Sequence, residues 1–272
     1  MKKVVAALAV IVVATWAVAT LTARGVRRAA SAQEWPLGLG TLESVPGRYQ
    51  GLKTSDAARE LELLAGKADA ATLRDLLASG RPLVWGLRPG HHRARRVDHR
   101  AMMEVHKTLV GSTRDWEDLR AEWQLARALW QPPETVSVML ATKYTSALVD
   151  RAEELPGPEP AWFAEVRTFD YRKAMVTAMQ HDTWETWMLV KEYGKADPHA
   201  TGLRRLREEV QVPYMRVACA DFASHQRKTA IALVNGSPPP EIAWWNNLAK
   251  MAAPNHVTAW QRVVELEQRV KR

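Results

Sequence analysis

Cysteine is almost missing from this 272-residue chain: its one example, Cys219, lies far beyond the position where a lipid-bearing Cys would follow an export signal. A lipoprotein anchor is therefore excluded, and so is an intrachain disulfide, which leaves the fold to be held by packing alone. The common catalytic spacings are missing as well. There is no C-x-x-C, G-x-S-x-G, Walker loop or H-E-x-x-H, and no G-x-G-x-x-G after a strand, so the usual redox, hydrolase, nucleotide and zinc-protease signatures are absent. Strand-like alternation is lacking too. Acidic residues do not occur before Glu34, and between Val4 and Ala23 there is no charge of either sign.

That last absence is the most informative feature of the sequence. Val4 to Ala23 is an apolar run preceded by Lys2-Lys3 and followed by Arg24, Arg27 and Arg28. Twenty residues at about 1.5 Å each give roughly 30 Å of helix, the thickness of a bilayer's hydrocarbon core. The threonines inside it can return their hydroxyls to carbonyls one turn back, which leaves no polar group stranded in lipid. A cleavable export signal begins in the same way, and Ala17-Val18-Ala19 offers a small-residue site for it. The expectation is a single-pass anchor in the inner (cytoplasmic) membrane with the body outside the cytoplasm; cleavage and release to the periplasm is the alternative. Basic residues lie on both sides, so orientation rests on the segment's N-terminal, signal-like position.

The net charge of +8 is partly a targeting signal. Five of the 38 basic residues fall in the first 32 positions, leaving 33 against 30 acidic residues in the remainder. This near-balance makes nucleic acid an unlikely partner. Residues 24–53, rich in Gly and without sustained periodicity, read as a flexible tether, and residues 54–272 as an all-helical body, with a candidate point of subdivision near 155–160 at Leu155-Pro156-Gly157-Pro158. Ser55-Asp56 and Asp69 cap short helices ending near Leu64 and Leu77. Longer helices are expected over about 93–110, 113–130, 133–154, 160–193 (with a break that cannot be placed), 199–211, 213–234, 240–252 and 255–271, several opened by a proline. The fold class is all-α: a multi-helix bundle or an array of helical hairpins after the N-terminal helix.

Four constellations remain. Trp116, Trp123 and Trp130 recur at intervals of seven, a spacing that fits a buried aromatic seam better than a ligand wall. Arg88, Arg93, Arg95, Arg96 and Arg100, interleaved with His91, His92 and His99, form the most basic stretch outside the anchor and are candidates to touch anionic lipid headgroups. His99 and His106 are too far apart along a helix to share an ion and read as a partly buried pair. His181 with Glu185, and Asp221 with His225, each stand four apart on different helices; together they would give one ion two imidazoles and two carboxylates. Two functions follow. One is a membrane-anchored interaction or scaffold domain of the cell envelope, with a protein partner; the other is a metal-dependent helical-bundle enzyme. The sequence names no cofactor.

Overall fold

The computed structural model describes residues 2–49, 52–86, 97–193, 201–243 and 246–271; within these ranges the side chains of 2–9, 189–193, 203–210, 247–248 and 251–254 stand outside the description. The described residues form eleven α-helices: α1 (Lys2–Ser31), α2 (Val45–Tyr49), α3 (Asp56–Leu64), α4 (Ala70–Ala78), α5 (His99–Val110), α6 (Trp116–Trp130), α7 (Thr135–Glu154), α8 (Phe163–Thr168), α9 (Tyr171–Tyr193), α10 (Gly202–Val234) and α11 (Asn247–Val270). Two single turns of 3-10 helix, Pro36–Gly38 and Leu42–Ser44, lie between α1 and α2. No strand occurs among the described residues, and the chain is all-α as the sequence implies.

The chain divides into two compact units: residues 1–45 with 183–254, and residues 46–182 with 255–272. The division falls inside α9 and α11. In the first unit, α1 packs against α10. Its buried contacts start at Thr20 and Ala23 and continue through Ala30 and Ser31. Cys219, on α10, is fully buried there, and burial pushes its thiol up to about 12, only partly opposed by Arg27. A thiol held protonated and covered is a poor nucleophile. Cys219 is therefore expected to stay unreactive toward Ellman's reagent at pH 8 in the folded protein and to titrate fully in denaturant; immediate reaction of the native protein would show that α10 is not packed as described.

The tether expected over residues 24–53 is replaced by structure in most of its length. Residues 24–31 prolong α1, where Ala29 and Ala30 favour the helix, and Ser31 Oγ donates to Glu43 Oε1 at 2.8 Å. Trp35, Leu39, Leu42 and Val45 are buried. Local sequence has no period here because the chain turns twice within ten residues, so its apolar side chains reach the interior without a helical spacing.

The second unit is built on short hairpins. α3 and α4 pack on each other and on α5, and α6 pairs with α7. The starts of α3, α4, α5 and α6 are set by side-chain caps: Ser55 Oγ accepts from Ala58 N at 3.2 Å, Asp69 Oδ1 from Thr72 N at 2.9 Å, Asp98 Oδ1 from Ala101 N at 3.0 Å and Asp115 Oδ1 from Asp118 N at 2.9 Å. Arg74 Nε reaches Asp118 Oδ1 at 2.8 Å, and its Nη2 donates to Ser112 O at 2.9 Å, fastening α4 to the start of α6.

One open boundary is placed and one expected boundary is corrected. The break left open within 160–193 falls between α8 and α9, where Asp170 Oδ1 accepts from Lys173 N at 2.9 Å and caps α9. Conversely, the helices expected at 199–211 and 213–234 are one, α10, with Pro213 in its interior rather than at a start. A proline there forfeits one backbone hydrogen bond and bends the helix.

Candidate functional site

The apolar face of α1 is the first site. From Val10 to Ser31 it is long and apolar enough to cross a membrane, with a mean hydropathy of 1.3 in its most apolar window and 6% of that window buried. Val10, Ile11, Val12, Val13, Val18 and Leu21 are each at least 60% exposed. Where this bare stretch meets α10, Ala19, Thr22, Ala23, Pro213, Tyr214 and Val217 line an almost wholly apolar groove of about 480 Å³. Beyond it Arg27, one of the three arginines flanking the apolar run, lies 4.5 Å over the Trp187 ring and donates from Nη2 to Trp187 O at 3.3 Å.

The second site is on α9. His181, Asp182 and Glu185 bring one ligand atom each to within 4.8 Å of one another, the one such group among the described residues. His181 is buried, while Asp182 and Glu185 are half-buried. His181 and Glu185, four apart in sequence, are brought together as the spacing implies; the other two expected ligands are not added to them. Asp221 Oδ2 accepts from Asn246 Nδ2 at 2.8 Å, and His225 Nε2 lies 3.4 Å from Thr229 Oγ1, a second pairing four apart on α10. Burial lowers the His225 pKa, so this imidazole is neutral and held by a hydroxyl. In their place stand two residues that helical spacing does not single out. Asp182 adjoins His181, and His256, buried on α11, places Nε2 3.4 Å from Asp182 Oδ2. Asp182 Oδ2 also accepts from the backbone N–H of Thr135 at 3.3 Å. The ring of Tyr49 meets His181 edge-on at 5.3 Å, and Arg48 Nη2 donates to Gln180 Oε1 beside it.

A third cluster is buried between α5, α6 and α7. Glu122 is fully buried; it accepts from Arg151 Nη2 and from Thr113 Oγ1. His106 Nε2 lies 3.9 Å from its Oε2, and the His106 ring stacks on Tyr144 at 3.6 Å, nearly parallel. His99 and His106 are both partly buried, as expected, and His99 places Nε2 3.0 Å from Ser137 Oγ and 3.6 Å from Glu134 Oε2. Each of the three tryptophans at intervals of seven has its indole N–H satisfied: Trp116 by Pro156 O at 3.2 Å, Trp123 by Glu165 Oε2 at 3.1 Å and Trp130 by Thr145 Oγ1 at 3.2 Å. Trp123 and Trp130 are buried and both pack on Phe169, so the stripe is a core seam.

Of the basic stretch, Arg88, Arg93, Arg95 and Arg96 lie outside the described residues. Arg100 is exposed in the first turn of α5. Compared with known proteins, the chain matches no family, no curated protein and no solved structure.

Proposed function

We propose that this protein is a single-pass, membrane-anchored, all-helical interaction protein of the cell envelope, with its N-terminus in the cytoplasm and its body beyond the membrane. One observation carries the reading: the exposed aliphatic side chains from Val10 to Leu21. Fully burying such a side chain is worth about 1.5–3 kcal/mol, so leaving this stretch in water costs on the order of 10 kcal/mol, comparable to the whole stability of a domain. A bilayer removes that cost. The absence of charge from Val4 to Ala23 fits a membrane placement. The protein partner docks on the helical body, and any contact with anionic headgroups is made by the basic stretch around Arg100.

The test is fractionation. Full-length protein is expected in the membrane pellet after a carbonate wash, and Val12→Lys with Val13→Lys is expected to move it to the soluble fraction. Protease added from the outside of intact right-side-out vesicles should degrade the body. Recovery of unaltered full-length protein in the soluble cytosol would end the reading, and a body protected until the vesicles are opened would reverse the orientation.

A further inference from the structure

We infer that His181, Asp182, Glu185 and His256 form a binding site for one borderline divalent cation of the zinc class. The inference is independent of the membrane reading and replaces the set of ligands that spacing alone suggests.

The geometry comes first. A tetrahedral ion with ligand bonds of about 2.1 Å separates any two of its ligand atoms by about 3.4 Å. Asp182 Oδ2 and His256 Nε2, from two helices far apart in sequence, stand 3.4 Å from each other. The remaining two ligands are on α9 itself: His181 and Glu185 are one turn apart on one face, and with Asp182 their ligand atoms fall within 4.8 Å of one another. His256 joins this group through Asp182, the ligand shared by the two sets of contacts.

The chemistry agrees. Two imidazoles and two carboxylates offer a mixed N₂O₂ set that suits zinc, cobalt or iron and disfavours calcium or magnesium, which prefer all-oxygen shells. Two carboxylate charges neutralise a divalent ion, which matters where His181 and His256 are each nearly inaccessible. The surroundings orient the ligands: the Thr135 backbone N–H donates to Asp182 Oδ2 at 3.3 Å, the outer hydrogen bond that carboxylate ligands characteristically receive. Asp182 and Glu185, being half-buried, leave the solvent side from which an ion arrives.

The bland account of the same contacts is a His256–Asp182 ion pair beside a helix-surface His–Glu pair. The two accounts differ in what the protein does with metal. Full-length protein in detergent, stripped with a chelator, is titrated with Co²⁺, whose tetrahedral complexes absorb visible light far more intensely than octahedral ones, and then with Zn²⁺ against a chromophoric chelator. Expected is one equivalent of Co²⁺ with the intense tetrahedral spectrum, displaced by one equivalent of Zn²⁺. His256→Ala and Asp182→Asn should each abolish the intense spectrum and weaken Zn²⁺ at least tenfold, whereas His225→Ala should change neither. Should His256→Ala fail to fold by circular dichroism, Glu185→Gln, at a half-buried position, serves in its place with the same expectation. No stoichiometric binding, an octahedral spectrum, or binding unchanged in His256→Ala or Glu185→Gln overturns the site.

Discussion

Replacing Glu122 by Ala is expected to destabilise the folded body by about 3–5 kcal/mol, the cost typical of breaking a buried ion pair from one side. The carboxylate is fully buried, and it accepts from Arg151 and Thr113. Without it, a guanidinium whose side chain is 21% exposed is left facing a cavity with no counter-charge. Removing both partners tests the reason for the loss. Glu122→Leu combined with Arg151→Met fills the space with apolar side chains and leaves no charge behind, so the double variant should regain most of the stability. Urea unfolding followed by tryptophan fluorescence measures all three proteins. A loss below about 1 kcal/mol in Glu122→Ala would show that water reaches the pair.

The second large effect is on pH dependence, and it comes from His106. Burial, then the charges of Arg151 and Lys143, hold its imidazole down to about 4 from an ordinary 6.5. The folded pKa lies below the unfolded one, so as pH falls below 6.5 the unfolded chain takes up the proton first. The neutral-imidazole contribution is therefore complete above pH 6.5 and is lost between 6.5 and about 4. At 1.36 kcal/mol per pKa unit, this amounts to about 3 kcal/mol. Other groups titrate in the same range, and the difference between wild type and His106→Gln isolates this one. That difference should shrink as pH is lowered from 7 to 4.5. A difference independent of pH would mean that His106 is already protonated, or equally solvated, in both states.

How much of this was legible in the sequence depended on whether the determining contacts were local. Ser55 and Asp69 announced α3 and α4 because a cap is a bond between neighbours. The tryptophan stripe could be read as a seam because seven-residue recurrence survives any tertiary arrangement. Asp170 carries the same kind of capping signal, yet it sits inside a long apolar period that masked the break between α8 and α9. Pro213 misled in the opposite direction. Proline is tolerated at a first helical turn and in a bent interior alike, and packing against α1, invisible in a local window, holds the chain in the second form. The candidate metal cluster divides in the same way. His181 and Glu185 were visible as a pair one turn apart; His256 is 74 residues from Asp182, and no spacing rule reaches it. Asp221 and His225 had the right spacing and were satisfied by Asn246 and Thr229 instead, a choice made by the tertiary fold.

The unbroken course of α1 sets how its exposed apolar stretch and the rest of the first unit are geared to each other. A disordered linker would act as a leash, letting the protein above it turn freely while the membrane segment stayed in place. α1 acts as a shaft. Its bare turns and the turns from Thr20 to Ser31 seated on α10 belong to one helix, so the azimuth at which the valines are exposed is locked to the azimuth at which Arg27 lies over Trp187. One residue added between these two stretches would swing one relative to the other by about 100° and advance it by about 1.5 Å. The register of that single helix therefore dictates which side of α10 lies in line with the exposed valines.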